Sequence, residues 1–212
     1  MQCFQGKSVY KGIVMGPVAV LKKNDYQVKR ARIEDPEAEV KRVEEAVEVS
    51  KKQLGRLYDK AVREVGEASA AIFEVHQMML EDDDYNESIE NIIHMQQVNA
   101  EYAVAVTGDN FAEMFANMDD EYMQARTADI IDLSGRVIRI LLNLPDVNFF
   151  KRKNIVLYKY ILTPSEIIEL DSDIISAAVS YHGNRHSHSA ILARAMNIPG
   201  ITDINEEIRN FS

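Results

Sequence analysis

One short run holds the residues best suited to chemistry: Gly183-Asn184-Arg185-His186-Ser187-His188-Ser189-Ala190-Ile191-Leu192-Ala193-Arg194-Ala195-Met196-Asn197-Ile198-Pro199. A polar, glycine-containing turn follows an apolar segment and leads straight into a short helical pattern. Ser187 is a good N-cap, because its hydroxyl can accept from a first-turn amide. Ile191, Leu192, Ala195 and Met196 recur at helical spacing, Asn197 suits the left-handed C-terminal position, and Pro199 stops the helix. His188 therefore falls in the first turn, beside unpaired amides and the positive end of the helix dipole, where an anion is stabilised. An imidazole in that place reads as a nucleophile able to carry a phosphoryl group. His182, His186 and His188 also form a close trio open to a metal-site reading, but no cysteine or carboxylate follows at ligand spacing.

The elements that must position this run change texture twice along the chain. Residues 8–21 are short β-branched runs broken by Gly12, Gly16 and Pro17, which predicts two strands. From Pro36 to Leu144 proline is absent after its first position and apolar residues recur at helical spacing. Pro36 opens a long helix behind Asp35 that ends near Gly66. Further helices are expected over about 67–80, 84–95, 100–118 (capped by Asn99) and 119–144. From Pro145 the β texture returns: strands at 154–160 and 174–180 flank a short helix at 164–170, and another strand begins at Ile198. The two N-terminal strands are too few to form a domain alone and are expected to join the later ones. The predicted fold is thus mixed α and β, a small α/β unit (1–30 and 145–212) with an inserted bundle of four to five helices (31–144).

The net charge of -10 argues against a nucleic-acid backbone or an anionic membrane as partner, and suits a basic protein. Acidic residues gather at Glu81-Asp82-Asp83-Asp84 and Asp119-Asp120-Glu121; the plain reading of such runs is solvated helix ends. No apolar run is long enough to cross a bilayer, and the first residues lack a secretory pattern. Cys3 is the single cysteine, so an internal disulfide is excluded and a reducing, cytoplasmic setting is expected.

The run around His188 resembles the phosphohistidine signature of the phosphoenolpyruvate-utilising family, approximately Gly-Gly-x-Thr-Ser-His-x-Ala-x-x-Ala-Arg followed by Ile-Pro. Three further segments, in the right order, resemble bacterial sugar-phosphotransferase Enzyme I in particular. They are Ala71-Ile-Phe-Glu-Val-His-Gln-Met-Met-Leu-Glu-Asp82, Asp119-Asp-Glu-Tyr-x-x-x-Arg-x-x-Asp-Ile-x-Asp132 and Leu162-Thr-Pro-Ser-Glu166. The resemblance covers nearly the whole chain and is to the N-terminal domain of that enzyme.

The resemblance implies a swivelling phosphohistidine domain and a helical insertion that docks the carrier protein HPr. It implies phosphate on Nε2 of His188, a hydroxyl at Thr163 holding the ring, and donors from Ser187 and the amides of residues 188–190. Arg185 and Arg194 are the nearest basic residues, with Arg194 also placed to pack along its helix. Glu67, Ile72, His76, Met78, Met79, Asp82, Asp84 and Arg126 are the implied partner-binding residues, although His76 on such a face is more often a plain surface histidine. Adaptable methionines and opposite charge would serve such docking. No cofactor or metal is expected in this part; magnesium and phosphoenolpyruvate belong to a C-terminal barrel that the chain does not include. The expected chain is a monomer, within a full-length enzyme that forms a homodimer. Asn184 stands where the family has a second glycine, His186 where it has threonine, Ser69 where it usually has lysine, and Ile131 where it often has arginine. Ser69 and Ile131 leave the carrier's identity open, so one rival is a paralogous phosphohistidine domain serving another carrier. Asn184, His186 and Ser69 are the support for a second rival, a degenerate module that binds without chemistry.

Overall fold

The computed structural model describes residues 3–21, 26–144, 154–170 and 174–205. Strands β1 (Lys7–Tyr10) and β2 (Val18–Val20) precede the helices, and β3 (Ile155–Lys159), β4 (Ile175–Ser180) and β5 (Gly200–Thr202) follow them. All five join one sheet in the order β1-β5-β4-β3-β2. β2, β3, β4 and β5 run parallel, while β1 closes the edge antiparallel to β5. Parallel neighbours need crossovers. Two are short helices, α8 (Pro164–Glu169) and α9 (His188–Ala195), and the third, from β2 to β3, is the whole helical part.

That part begins with α1 (Pro36–Val65), whose 30 residues make a rod about 45 Å long. Asp35 caps it by accepting from the Ala38 amide at 3.1 Å, Pro36 occupies the first turn, and Gly66 ends it at φ 87. Val43, Ala46, Leu54, Leu57 and Ala61 are its buried stripe, and Ser50 satisfies its buried hydroxyl on the Ala46 carbonyl at 2.8 Å. Then come α2 (Glu67–Ala70), α3 (Ile72–Leu80), α4 (Asp83–Gln96), α5 (Ala100–Ala116), α6 (Glu121–Ala125) and α7 (Thr127–Leu141). α5 and α7 cross closely at Gly108, where an added Cβ would lie 2.5 Å from Ser134 Oγ.

Three expectations need correction. The helix expected over 67–80 is broken at Ala71, and that over 119–144 is broken at Arg126. Both residues keep right-handed helical dihedrals, so the breaks are shifts in the hydrogen-bond ladder that no proline or glycine announces. Asn99 does not cap α5 with its side chain. Its Oδ1 instead accepts from the Ala31 amide at 2.8 Å and its Nδ2 donates to the Lys29 carbonyl at 3.2 Å, tying the approach to α1 against the start of α5. Residue 145, where the β texture was expected to return, lies outside the described residues.

Candidate functional site

The turn after β4 is held without help from glycine flexibility. Asn184 Oδ1 accepts from the His186 amide at 2.8 Å, and the Asn184 carbonyl accepts from the Ser187 amide at 3.0 Å. Asn184 is not among the non-glycine residues with positive φ, so asparagine sits there unstrained. Its Nδ2 also reaches the Glu121 carbonyl at the start of α6, at 3.2 Å. Gly183 is needed for a different reason, close approach: an added Cβ would lie 2.1 Å from Thr202 Oγ1 on β5.

Ser187 then caps α9, its Oγ accepting from the Ala190 amide at 3.2 Å and meeting Ser189 Oγ at 3.0 Å. Asn197 takes the left-handed position at φ 57. The Arg194 guanidinium folds back to donate to the Arg185 carbonyl at 2.8 Å, bracing the turn from below. Arg185 itself is exposed. His188 thus starts the helix with a side chain about a quarter exposed.

Its ring is held from the helical part. Nδ1 of His188 lies 2.8 Å from Oδ2 of Asp129 on α7. Asp129 is buried, and its Oδ1 lies 3.4 Å from Nε2 of His76 on α3. Nδ1 of His76 lies 3.9 Å from Oδ2 of Asp132, one helical turn along α7. Asp132 Oδ2 accepts from the Ser165 amide in the first turn of α8 at 2.8 Å. Four elements, α3, α7, α8 and α9, therefore meet around a file of alternating carboxylates and imidazoles. Burial pushes the Asp129 carboxyl up, but hydrogen bonding and charge from His188 and His76 more than offset it, and the group ends below its ordinary range.

An ionised carboxylate only accepts. At 2.8 Å it obliges Nδ1 of His188 to carry the proton, and in the neutral ring that leaves the lone pair on Nε2, the nitrogen away from Asp129. A buried acid that fixes the tautomer of a reactive imidazole is a recurrent device for nucleophiles and general bases.

Several implied roles fall elsewhere. The Thr163 hydroxyl caps α8, accepting from the Glu166 amide at 3.4 Å, while Glu166 Oε2 accepts from the Thr163 amide at 3.1 Å. Glu166 also pairs with Lys159. The ring-holding contact expected of Thr163 is made by Asp129. His76 and Ile72 are buried and do not present themselves to a partner, because α3 turns that face into the core. Glu67, Met78, Asp82 and Asp84 are exposed and Met79 is half-buried. Arg126, half-buried between α6 and α7, lies over the Tyr122 ring at 5.4 Å. His182 packs against Tyr160 and Tyr181, and the described residues contain no group of three or more metal-ligating side chains arranged for an ion.

Asp129 and Asp132 went unassigned from sequence, although a signal was present. On α7 they share one stripe with Leu133 and Val137, and acids on an apolar helix face mark a buried polar site.

Two family models match in succession, "PEP-utilising enzyme, N-terminal" over residues 5–126 and "PEP-utilising enzyme, mobile domain" over residues 150–211. Phosphoenolpyruvate-protein phosphotransferases of Listeria monocytogenes and Bacillus subtilis are 36% and 35% identical over 95% of this chain. That of Mycoplasma capricolum is 32% identical over 97% of it. The chain spans only 36%, 35% and 36% of these three relatives. Among solved structures, the NMR solution structure of an Enzyme I protein (nEIt) matches with TM-score 0.67 and 29% identity, covering 95% of this chain and 82% of that one. The N-terminal domain of "Enzyme 1 - Nitrogen" matches in fold with TM-score 0.59 and 23% identity, covering 97% and 85%. Among the described residues no helix is long and apolar enough to cross a membrane.

Proposed function

The chain belongs to the family of phosphoenolpyruvate-utilising enzymes, and on that premise we propose that it is the phosphohistidine-bearing, carrier-docking part of a phosphoenolpyruvate–protein phosphotransferase. In this reading His188 takes a phosphoryl group on Nε2 and passes it to a histidine of HPr. The α/β unit of residues 1–30 and 145–212 carries His188, and the helical unit of residues 31–144 receives the carrier. The observation that carries the proposal is the 2.8 Å contact from Nδ1 of His188 to the buried Asp129 carboxylate.

Phosphoryl transfer asks a protein mainly for in-line positioning and for compensation of charge. The Nε2 lone pair attacks phosphorus as the bond to the donor nitrogen breaks, and the donor ring keeps that electron pair. The Nδ1 proton never leaves the His188–Asp129 pair, so no proton need travel during the transfer. Positive charge developing on the His188 ring is stabilised by Asp129 on the opposite edge. The start of α9 offers amides and a dipole to the incoming oxygens, with Arg185 exposed beside them. Return of the group to the carrier is the same step reversed.

Glu67, Asp82 and Asp84 are exposed, as is Met78, and acidic and adaptable side chains of this kind suit a basic carrier. Charge there speeds encounter more than it tightens the complex. The magnesium implied for the phosphoenolpyruvate-binding part has no fitting ligand set among the described residues of this chain, and no step here uses it.

The test is incubation with phosphorylated HPr, wild type against His188→Ala. Wild type should acquire acid-labile, alkali-stable phosphate and the variant none. Equal labelling of the two, or carrier binding by wild type with no phosphohistidine formed, rejects the proposal; the latter would favour the binding-module rival.

A further inference from the structure

Directly behind the His188–Asp129 pair stands an imidazole that the transfer step does not use. His76 is fully buried, with its ring edge-on to Phe73 at a centroid distance of 6.1 Å. Its two nitrogens each face a carboxylate: Nε2 lies 3.4 Å from Asp129 Oδ1, and Nδ1 lies 3.9 Å from Asp132 Oδ2. Neither nitrogen, nor Asp129 Oδ1, completes an aligned hydrogen bond at these distances. A buried polar group in that state calls for a reason.

Charge bookkeeping supplies one. Asp129 and Asp132 are both buried, and taking two carboxylates out of water without a counter-charge is strongly unfavourable. The Ser165 amide and the start of α8 serve Asp132, but an amide carries no net charge. His188 cannot supply the missing charge while it acts as a nucleophile, because a free lone pair on Nε2 means a neutral ring. The groups facing His76 are Asp129 and Asp132 from α7, with His188 of α9 one carboxylate away. A neutral imidazole between two carboxylates would point a lone pair at one of them, whereas a doubly protonated ring offers each a donor.

We propose that His76 is a positioning residue for His188: its doubly protonated ring turns one N–H toward Asp129 and the other toward Asp132, and the charge placed between the two carboxylates keeps Asp129 ionised and aimed at Nδ1 of His188. This rests on the reading of His188 as the nucleophile. His76 touches no reacting atom. Its effect reaches Nε2 of His188 through one carboxylate, by deciding which ring nitrogen of His188 holds the proton.

Nitrogen-15 NMR of the histidine-labelled chain, with no phosphate donor present, tests this directly. In wild type at pH 7 both nitrogens of His76 should resonate as protonated, and His188 should show a protonated Nδ1 and a bare Nε2. A bare nitrogen on His76 overturns the proposal, in a protein whose folding is not in question. In His76→Gln, which keeps bulk but no charge, the ratio of the two neutral His188 tautomers should fall about tenfold. An unchanged ratio in a folded variant also overturns it. If wild type shows the doubly protonated His76 yet never acquires phosphate, the transfer reading fails while the clamp stands.

Discussion

Asp129→Asn is the substitution that isolates the acid behind the nucleophile. Asparagine matches aspartate in shape, so the α7 packing should persist and only charge and hydrogen-bond polarity change. A charge-assisted bond contributes about 1.5–3 kcal/mol and a neutral one about 0.5–1.5 kcal/mol. The difference, about 1–2 kcal/mol, corresponds to roughly 5–30-fold in the population of the reactive tautomer. The amide can also turn its NH2 toward Nδ1 and stabilise the unreactive tautomer, which moves the loss to the upper end of that range. The assay is single-turnover transfer from phosphorylated HPr at pH 7, with a parallel urea melt. The melt should fall by about 1–2 kcal/mol, since burial without charge partly offsets the lost bond. The pH dependence adds a sign. The Asp129 carboxyl lies below its ordinary range when folded, so its contribution to stability is present above about pH 3.9 and is lost as pH falls through the lower folded value. The asparagine variant should lack that acid-side loss. A transfer rate within twofold of wild type, in a variant of unchanged stability, would refute the role given to Asp129.

Two further substitutions separate scaffold from chemistry. Thr163→Ala removes the α8 cap and should lower stability by about 1 kcal/mol while leaving the transfer rate near wild type; a large rate loss without destabilisation would restore the ring-holding role to Thr163. Gly183→Ala places a methyl 2.1 Å from Thr202 Oγ1 and should cost about 1–3 kcal/mol in a thermal or urea melt. Adding Thr202→Ala should recover part of that loss, and simple additivity of the two effects would argue against the contact as its cause.

Much of the scaffold was legible because its signals are local. Asp35 and Pro36 open α1, Gly66 ends it, Ser187 caps α9 and Asn197 turns left-handed beyond it. Strand texture on both sides of the helices likewise pointed to one sheet made from both ends of the chain. The breaks at Ala71 and Arg126 were not legible, since helix-compatible residues there change only the hydrogen-bond ladder. Asn99 has the chemistry of a cap, and a segment nearly 70 positions earlier competes for its side chain. The site was half visible. His188 stood out through its place in a turn and helix start, but its partner Asp129 lies 59 positions away and on another element. His76 was assigned to the surface because helical spacing alone does not say which neighbour covers a face.

The direct pairing of β2 with β3 has a consequence for how such a protein can change over evolution. Chain that leaves the sheet at Val20, opposite Tyr158, re-enters at Ile155 near the other end of the adjoining parallel strand, about 4.8 Å away across the sheet and roughly 10 Å along it. Closure of an insert between two such points becomes harder only logarithmically with its length. The helices therefore behave as a cartridge that a lineage can reshape or exchange with strand pairing undisturbed. Asp129 and His76 travel inside that cartridge. An exchange that omits an acid at the place of Asp129 would keep the fold and leave the histidine with nothing to hold its proton.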